Sequence, residues 1–161
     1  MSWALARVDD RLIHGQVLVA WGARLDPARI WVVDDAVAAS DWERQLFQDA
    51  APGIEVRIAG VADAAAGFAA EATAAGAAFL LVRDLATARR LSDAGARPAV
   101  WNVGGLHYAP GKDKVNDYVY LDATDRADAR ALLAAGASLE VQDVPASRPL
   151  PLATLDPQLA A

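Results

Sequence analysis

Apolar runs alternate along the chain with segments of helical periodicity, in the regular order strand, helix, strand, helix. The runs 30–33 and 79–82 are apolar throughout, as is typical of strands that a sheet buries on both faces. The pattern predicts strands over residues 3–9, 30–33, 54–58, 79–82, 99–103, 118–121 and 139–144. It predicts helices over residues 15–25, 40–50, 62–74, 84–94 and 125–135. This alternation predicts an α/β fold, a single domain over residues 1–161 with an open, mainly parallel β-sheet and helices on both faces.

The boundaries between these elements carry local signals. Ser40 and Glu43 form the pattern of a capping box, in which each side chain satisfies a free backbone amide at a helix start. Glycine supplies the left-handed residue that closes a helix before the next strand. The tripeptide Ala-Gly-Ala recurs at three such junctions, at 75–77, 94–96 and 135–137. Residues 104–117, rich in glycine and lysine, are predicted to form a polar loop, and the proline-rich tail is predicted to pack loosely.

The composition narrows the class of protein. The 161 residues carry a net charge of −6, and no basic run is longer than Arg89-Arg90, which argues against a nucleic-acid partner. The absence of cysteine excludes disulfides, thiolate metal sites and cysteine nucleophiles. The amino-terminal segment has no signal-peptide pattern, and no apolar run approaches the roughly 20 residues that span a bilayer. We therefore expect a cytoplasmic protein, and no residue pattern predicts a metal site or a cofactor.

The segment after the first predicted strand carries residues suited to chemistry on a phosphate. Ligands of open α/β sheets bind beyond the carboxyl ends of the strands. Four polar residues occupy that place here, namely Asp9, Asp10, Arg11 and His14. The helix predicted to start at Gly15 offers free amides, those of Gly15 and Gln16 included, and a partial positive charge that suits an anion.

Each of these residue types has a role in phosphoryl transfer. Arg11 can bind a phosphate through two hydrogen bonds of its guanidinium, and His14 supplies an imidazole nucleophile. Asp10 can hold one ring nitrogen of His14 and leave the other free to attack. The pattern alone leaves open that His14 is only a hydrogen-bonded surface residue, and that Asp9 or Asp10 only caps the loop or the helix.

A second polar segment, residues 102–108, follows another predicted strand and should reach the same edge of the sheet. Its paired glycines, Gly104 and Gly105, would let backbone amides approach a ligand closely, with His107 nearby. The segment is neither a dinucleotide-binding fingerprint nor a Walker loop. A metal site built on His14 and His107 would lack a third ligand. A tight glycine turn with solvated lysines is the alternative.

Residues 7–17, Arg-Val-Asp-Asp-Arg-Leu-Ile-His-Gly-Gln-Val, resemble the signature of the IIB component of the mannose/fructose/sorbose class of the bacterial sugar phosphotransferase system (PTS). The resemblance continues through residues 30–35 and through residues 46–53, ahead of Ile54. It returns in residues 102–108 and in Gly111-Lys112, and extends into the final helix and strand. It covers nearly the whole chain.

The resemblance implies a protein-N(pi)-phosphohistidine–sugar phosphotransferase. A IIB component of this class accepts a phosphoryl group from the phosphohistidine of a IIA partner, on Nδ1 of the histidine that His14 matches. It then donates the group to a sugar that enters through the membrane subunits IIC and IID, with which it associates peripherally. Arg11 matches the arginine that binds the phosphate, and Asp10 lies in the same loop. The implied fold is an open, mainly parallel sheet with helices on both faces.

Several points stay open at this stage. Residues 60–77 are alanine-rich, and Thr73 is the candidate there for a phosphate-binding hydroxyl. A regulatory module that bears a phosphohistidine, without a sugar-transport partner, would use the same His14. The sugar and the oligomeric state, a homo-oligomer included, do not follow from the sequence.

Overall fold

The computed structural model describes residues 3–159, in which a large sheet is accompanied by a small one. The strands are β1 (Leu5–Asp9), β2 (Pro27–Val33), β3 (Glu55–Ala59), β4 (Ala77–Val82), β5 (Val100–Gly105), β6 (Asp113–Asn116), β7 (Val119–Leu121), β8 (Ser138–Val141) and β9 (Leu150–Pro151). The helices are α1 (residues 15–25), α2 (Asp35–Ala38), α3 (Asp41–Ala50), α4 (Val61–Glu71), α5 (Leu85–Asp93), α6 (Ala123–Ala134), α7 (Leu152–Leu155) and a 3₁₀ turn (Pro157–Leu159).

The large sheet has seven strands in the order β3-β2-β4-β1-β5-β8-β9. Its strands pair in parallel, except that β9 runs antiparallel to β8. The chain moves from β1 toward β2 on one side and places β5 on the other, so the strand order reverses at β1. Ligands of such sheets bind at this reversal, beyond the carboxyl ends of the strands. The predicted α/β fold with an open, mainly parallel sheet is confirmed.

Helices cover both faces of the sheet, as predicted. Successive side chains of a strand point to opposite faces, so β1 contributes Leu5 to one core and Val8 to the other. On the first face, the sheet packs against Val17 and Trp21 of α1. On the second, it packs against side chains of α4, α5 and α6, among them the buried Phe68.

Helix α1 follows the candidate loop directly and begins where the pattern predicts. Its middle section, Val17–Gly22, is π-helical, and Ala23–Leu25 is α-helical. Val17 and Trp21 are buried against the sheet, whereas Val19 between them is exposed. These two anchors fix the start of the helix, and π-helical turns are frequent at functional sites.

The predicted polar loop over residues 104–117 is wrong. β5 continues through Gly105, and β6 pairs antiparallel with β7 as a hairpin in the small sheet. The half-buried Val115 and Tyr118 pack against the main core and hold the hairpin there. The polar composition concealed this strand because only alternate side chains of a surface hairpin need to be apolar.

The prediction that the proline-rich tail packs loosely is also wrong. β9 pairs with β8, and α7 buries Leu152 completely. The Nε of the buried Arg126 donates to Oδ2 of Asp156 at 2.7 Å. Burial of Leu159 completes the attachment of the tail to α6 and β8.

The predicted capping box at α3 forms only in half. The hydroxyl of Ser40 accepts from the amide of Glu43 at 3.4 Å, but the amide of Ser40 donates to the carbonyl of Val37. The reason is the short helix α2, which the pattern did not predict and which ends just before Ser40. A complete capping box stands at the start of α6, between Asp122 and Asp125.

Candidate active site at the end of strand β1

The loop between β1 and α1 folds back onto the end of its own strand. The amide of Leu12 donates to the carbonyl of Asp9 at 2.9 Å, and the amide of Asp10 donates to the carbonyl of Gly105 in β5 at 3.0 Å. Leu12 has a φ of 56°, a left-handed conformation that is strained for a leucine. Burial of its side chain holds it there. The turn brings the carbonyl of Leu12 to the ring of His14.

His14 stands immediately before α1 with its ring largely enclosed. Its side chain is 17% exposed. Nδ1 lies 3.0 Å from the carbonyl oxygen of Leu12 and donates to it, because a carbonyl can only accept. Nε2 is buried, has no hydrogen-bond partner among residues 3–159, and faces Oδ2 of Asp9 at 3.7 Å. Asp9 is therefore the carboxylate beside the ring.

The carboxylate of Asp9 is 1% exposed and is held by two arginines. Its Oδ1 accepts from the amide and the Nε of Arg11 at 3.1 and 3.0 Å. Its Oδ2 accepts from Nη2 of Arg11 at 2.9 Å and from Nη2 of Arg7 at 3.3 Å. Asp9, which the sequence left as a capping residue or a site residue, is the centre of a buried ionic cluster.

Arg7, which the sequence analysis did not single out, is completely buried beneath the loop. Its guanidinium donates to the side-chain oxygen of Asn102 and to the carbonyl oxygens of Gln142 and Asp143, the latter two at 3.0 Å. Its Cζ lies 5.4 Å from the ring centroid of Trp21. Arg7 therefore ties β1 to β5, to the end of β8 and to α1.

The burial of Arg7 has an electrostatic consequence. Desolvation lowers the pKa of its guanidinium below the ordinary value, although the charge of Asp9 opposes this effect. One signal for Arg7 was available in the sequence. Residues two apart in a strand share a face, so Arg7 and Asp9 had to lie side by side in a strand that is otherwise apolar.

Gln16, in the first turn of α1, joins the two arginines. Its Oε1 accepts from Nη2 of Arg7 at 3.3 Å and from Nη2 of Arg11 at 3.2 Å. Gly15 beside it is exposed, with open space around its Cα. The amides of Gly15 and Gln16 belong to the first turn of a helix, where amides lack an intrahelical acceptor.

The charges of this cluster do not cancel. Arg7 and Arg11 are cationic, Asp9 is anionic and Gln16 is neutral, so two positive charges face one negative charge. Among the hydrogen-bonded groups one positive charge is therefore in excess, while the carboxylate of Asp143 acts on Arg7 only through its charge. The arrangement suits an anionic group bound between the ring and the helix start.

The second predicted segment does reach the site, but its glycines serve another purpose. A Cβ on Gly104 would lie 1.9 Å from Cζ of Arg7. A Cβ on Gly105 would lie 3.2 Å from Oδ1 of Asp9 and 3.3 Å from Nη2 of Arg11. The glycines thus make room for the ionic cluster, whereas the sequence suggested that they make room for a ligand.

Asp10 binds His107, and not His14 as the sequence suggested. Its Oδ2 accepts from the amide of His107 at 2.8 Å, and its Oδ1 lies 2.6 Å from Nδ1 of the same residue. The side chain of His107 is 55% exposed. The reason is the register of the strands, since the amide of Asp10 pairs with β5 and turns its side chain toward the segment that follows β5. This pair joins the two loops at the rim of the site.

The remaining candidates are engaged elsewhere. The hydroxyl of Thr73 donates to the carbonyl of Ala70 at 3.2 Å, after the end of α4. Lys112 forms an ion pair with Asp125 at 2.8 Å. Within residues 3–159, no group of three or more His, Cys, Asp and Glu side chains is arranged to hold a metal ion.

Comparison with known proteins assigns the chain to a family. The model of the PTS system sorbose subfamily IIB component matches residues 3–158. The chain belongs to this IIB family. The resemblance recognised in residues 7–17 is therefore confirmed, and it extends over the whole α/β sheet.

Individual relatives agree with this assignment. The IIB chain is 35% identical over 145 residues to the sorbose-specific EIIB component of Lacticaseibacillus casei. This match covers 89% of the IIB chain and 88% of the relative. It is 33% identical over 143 residues to the N-acetylgalactosamine-specific phosphotransferase enzyme IIB component 1 of Escherichia coli, with 88% and 90% covered. It is 37% identical over 145 residues to the mannose-specific EIIAB component of Escherichia coli. That match covers 89% of this chain but 45% of the relative, so the chain spans less than half of that protein.

Solved structures share the fold. The IIBSor domain of the sorbose permease from Klebsiella pneumoniae superposes with a TM-score of 0.89, at 29% identity and with 98% of each chain covered. The N-acetylgalactosamine-specific IIB component 1 from Escherichia coli gives a TM-score of 0.83 at 32% identity, with 90% of this chain and 95% of that chain covered. Between residues 3 and 159 of the IIB chain, no helix has the length and apolar character to cross a membrane.

Proposed function

We propose that the IIB chain is a sugar-specific phosphotransferase and that His14 carries the phosphoryl group between two partners. The observation that carries the proposal is a histidine beside a carboxylate that two arginines share, in a chain that belongs to the IIB family. Phosphoryl transfer depends mainly on positioning and on neutralising the oxygens of the moving group. The cluster supplies both without a metal ligand from the protein. Residues 1–161 would act in this reaction as a single IIB domain.

In the proposed first step, Nδ1 of His14 attacks the phosphorus of a phosphohistidine on a IIA partner. The new N–P bond forms as the N–P bond of the donor breaks, and the electron pair of that bond stays on the donor imidazole. Nδ1 must first leave its contact with the carbonyl of Leu12, and the ring proton must sit on Nε2. Nε2 would then donate its proton in a hydrogen bond to Oδ2 of Asp9, which lies 3.7 Å away.

The oxygens of a phosphoryl group on Nδ1 need hydrogen-bond donors near the ring. Arg11 offers a guanidinium whose side chain is 38% exposed, and a guanidinium can bind two phosphate oxygens at once. The amides of Gly15 and Gln16 in the first turn of α1 add neutral donors and the positive end of the helix. Asp10 and His107 hold the rim of this pocket together and take no part in orienting His14.

In the proposed second step, a sugar hydroxyl attacks the phosphorus on His14. The P–O bond forms as the P–N bond breaks, the electron pair returns to the imidazole, and the hydroxyl proton is released to water. The relatives are named for sorbose, N-acetylgalactosamine and mannose, which supports a sugar as the class of acceptor. The acceptor would reach the IIB chain through membrane IIC and IID subunits, at the cytoplasmic surface.

Labelling of the chain by a phosphorylated IIA protein tests the acceptor residue. The sequence contains two histidines, so the variants His14→Ala and His107→Ala form a matched pair. We expect wild type and His107→Ala to take up the label, and His14→Ala to take up none. Labelling of His14→Ala at the wild-type rate would contradict the assignment.

A second assay tests the acceptor. The labelled chain is mixed with membranes that contain IIC and IID and with a panel of sugars. We expect the label to move to one of the sugars. A label that stays on His14 with every sugar would instead support the regulatory alternative, in which the phosphohistidine is a signal.

A further inference from the structure

We infer that Arg7 is a positioning residue for the proposed transfer. It holds the buried carboxylate of Asp9 and thereby leaves Arg11 free to turn toward a phosphoryl group on His14. The inference rests on the proposed function, because it concerns the phosphorylated state of His14. It gives Arg7 a task during the reaction in addition to its place in the core.

The guanidinium of Arg11 is partly occupied while His14 carries no phosphoryl group. Its Nε and Nη2 donate to Asp9 at 3.0 and 2.9 Å, and Nη2 also reaches Gln16 at 3.2 Å. Nη1 has no acceptor among residues 3–159, so a phosphoryl group that binds through both Nη1 and Nη2 would draw Nη2 away from Asp9. Asp9 is 1% exposed, and a buried carboxylate that loses its only cation is strongly destabilised.

Arg7 removes this obstacle because Asp9 has a second cation. Nη2 of Arg7 donates to Oδ2 of Asp9 at 3.3 Å, the same oxygen that accepts from Nη2 of Arg11. When Arg11 turns away, Asp9 therefore keeps a charged partner. Gln16 likewise keeps a donor, since Arg7 also reaches its Oε1 at 3.3 Å.

Only one of the two arginines is free to move. Arg7 is completely buried and bound to Asn102 and to the carbonyls of Gln142 and Asp143, and its guanidinium packs against the Cα of Gly104. It cannot reach a phosphoryl group at the surface without leaving these acceptors. Arg11 is 38% exposed and lies in the loop itself. The cluster thus pairs a fixed cation with a transferable one.

The test is a double-variant cycle on the rate of phosphoryl transfer from phosphorylated IIA. In Arg7→Met, Arg11 becomes the only cation of Asp9 and stays there, so we expect transfer to slow by about a hundredfold. In the Asp9→Asn background no buried carboxylate needs a cation when Arg11 turns away, so adding Arg7→Met should change the rate little. Arg7→Lys keeps a charge near Asp9 and should recover most of the rate that Arg7→Met loses.

The control is a buried arginine outside the site. Arg29→Met removes the partner of Glu71, so it should lower stability yet leave transfer per folded molecule unchanged. If Arg7→Met does not fold, Arg7→Gln takes its place in the cycle.

Two results would overturn the inference. One is wild-type transfer by a folded Arg7→Met. The other is an equal loss of rate from Arg7→Met with and without Asp9→Asn, which is what a purely structural role predicts. The proposed function fails separately, if His14→Ala accepts the label. If His14→Ala stays unlabelled and Arg7→Met transfers at the wild-type rate, the inference about Arg7 fails while the proposed function stands.

Discussion

Two buried arginines of the sheet, Arg7 and Arg29, meet their carboxylates in opposite ways. Oε1 of Glu71 serves Arg29 alone, since it accepts from its Nε at 2.6 Å and lies 2.5 Å from its Nη2. The other oxygen, Oε2, lies 3.8 Å from Nη1 of the more exposed Arg57, which has its own carboxylate partner in Glu55. Its Nη1 and Nη2 also reach the carbonyls of Ala75 and Gly76, at 2.6 and 3.2 Å. The hydrogen bond with Glu71 raises the pKa of Arg29 above its ordinary value, although burial opposes this effect.

Arg7, by contrast, shares the carboxylate of Asp9 with Arg11. Asp9 divides its oxygens between Arg7 and Arg11, and the buried Nε of Arg7 has no partner among residues 3–159. Burial lowers the pKa of Arg7, in the direction opposite to the change at Arg29.

The difference separates a structural cluster from the one that we propose to be functional. Around Arg29, charge and hydrogen bonds are balanced within the protein, and the result is a firm attachment of the end of α4 to β2. Around Arg7, two arginines share the one carboxylate of Asp9 at the end of β1, where the strand order of the sheet reverses, and Asp143 acts on Arg7 only through its charge. A cluster in which two arginines share one carboxylate keeps cationic donors in place for a phosphoryl group before the group arrives.

Breaking the balanced cluster should have the largest effect on stability. Glu71→Ala leaves Arg29 buried without its carboxylate and removes the acceptor that Nε1 of Trp31 reaches at 2.8 Å. We expect the free energy of unfolding to fall by about 3 kcal/mol. Urea denaturation measures this loss. Transfer to His14 per folded molecule should not change, and a slower transfer would show that the two clusters are coupled.

Removing Arg11, the exposed arginine of the cluster around Asp9, should change the rate of phosphoryl transfer more than the stability. Arg11→Ala leaves Asp9 with Arg7, so we expect the free energy of unfolding to change by less than about 1 kcal/mol. Phosphoryl transfer, measured by rapid quenching, should slow by about a hundredfold because the phosphoryl oxygens lose their charged donor. Arg44→Ala, at an exposed arginine of α3, is the matched control and should alter neither quantity. Unchanged transfer in Arg11→Ala would contradict the proposed role of Arg11.

The sequence predicted the frame of the molecule better than its ionic contacts. Buried runs such as 79–82 identify their strands because burial on both faces leaves no room for polar residues. The hairpin of β6 and β7 escaped, since its polar composition resembles that of a loop and its packing depends on long-range contacts of Val115 and Tyr118. The attachment of the tail through Asp156 and Arg126 was equally hidden, because the two residues lie far apart in the chain.

The same limit explains the errors at the site. The order of residues 7–17 identified the loop and placed Arg11 and His14 in it, because they adjoin the end of a recognisable strand. The left-handed turn at Leu12 and the register between β1 and β5 determine which carboxylate faces His14. Neither feature can be predicted from the spacing of residues along the chain. The roles of Arg11 and His14 therefore stay predictions, whereas the expected contact of Asp10 with His14 is replaced by its contact with His107.

Glycine substitutions beside Arg7 and at Trp31 should have smaller effects and compare the candidate site with the core outside it. In Gly104→Ala the new Cβ would overlap the guanidinium of Arg7, so we expect a loss of about 2 kcal/mol in unfolding free energy together with slower transfer. Gly67→Ala brings a Cβ to 2.9 Å from Cη2 of Trp31 and should affect stability alone. Gly22→Ala meets its nearest atom at 3.5 Å and serves as the control. Equal transfer rates in all three variants would show that the position of Arg7 does not matter for the reaction.

The smallest effect concerns the pH dependence of the balanced cluster. Burial raises the pKa of Glu71, but hydrogen bonds from Arg29 and Trp31 outweigh it and leave the pKa below the ordinary value of 4.5. The unfolded chain then binds the proton more readily, so the contribution of Glu71 to stability is fully present above the ordinary pKa and is lost as the pH falls through the lowered one. Urea denaturation between about pH 6 and pH 3 should show a steeper loss of stability in wild type than in Glu71→Gln, by at most about 1.4 kcal/mol per pH unit for a single proton. Equal slopes in the two proteins would mean that the pKa of Glu71 is the same in the folded and unfolded states.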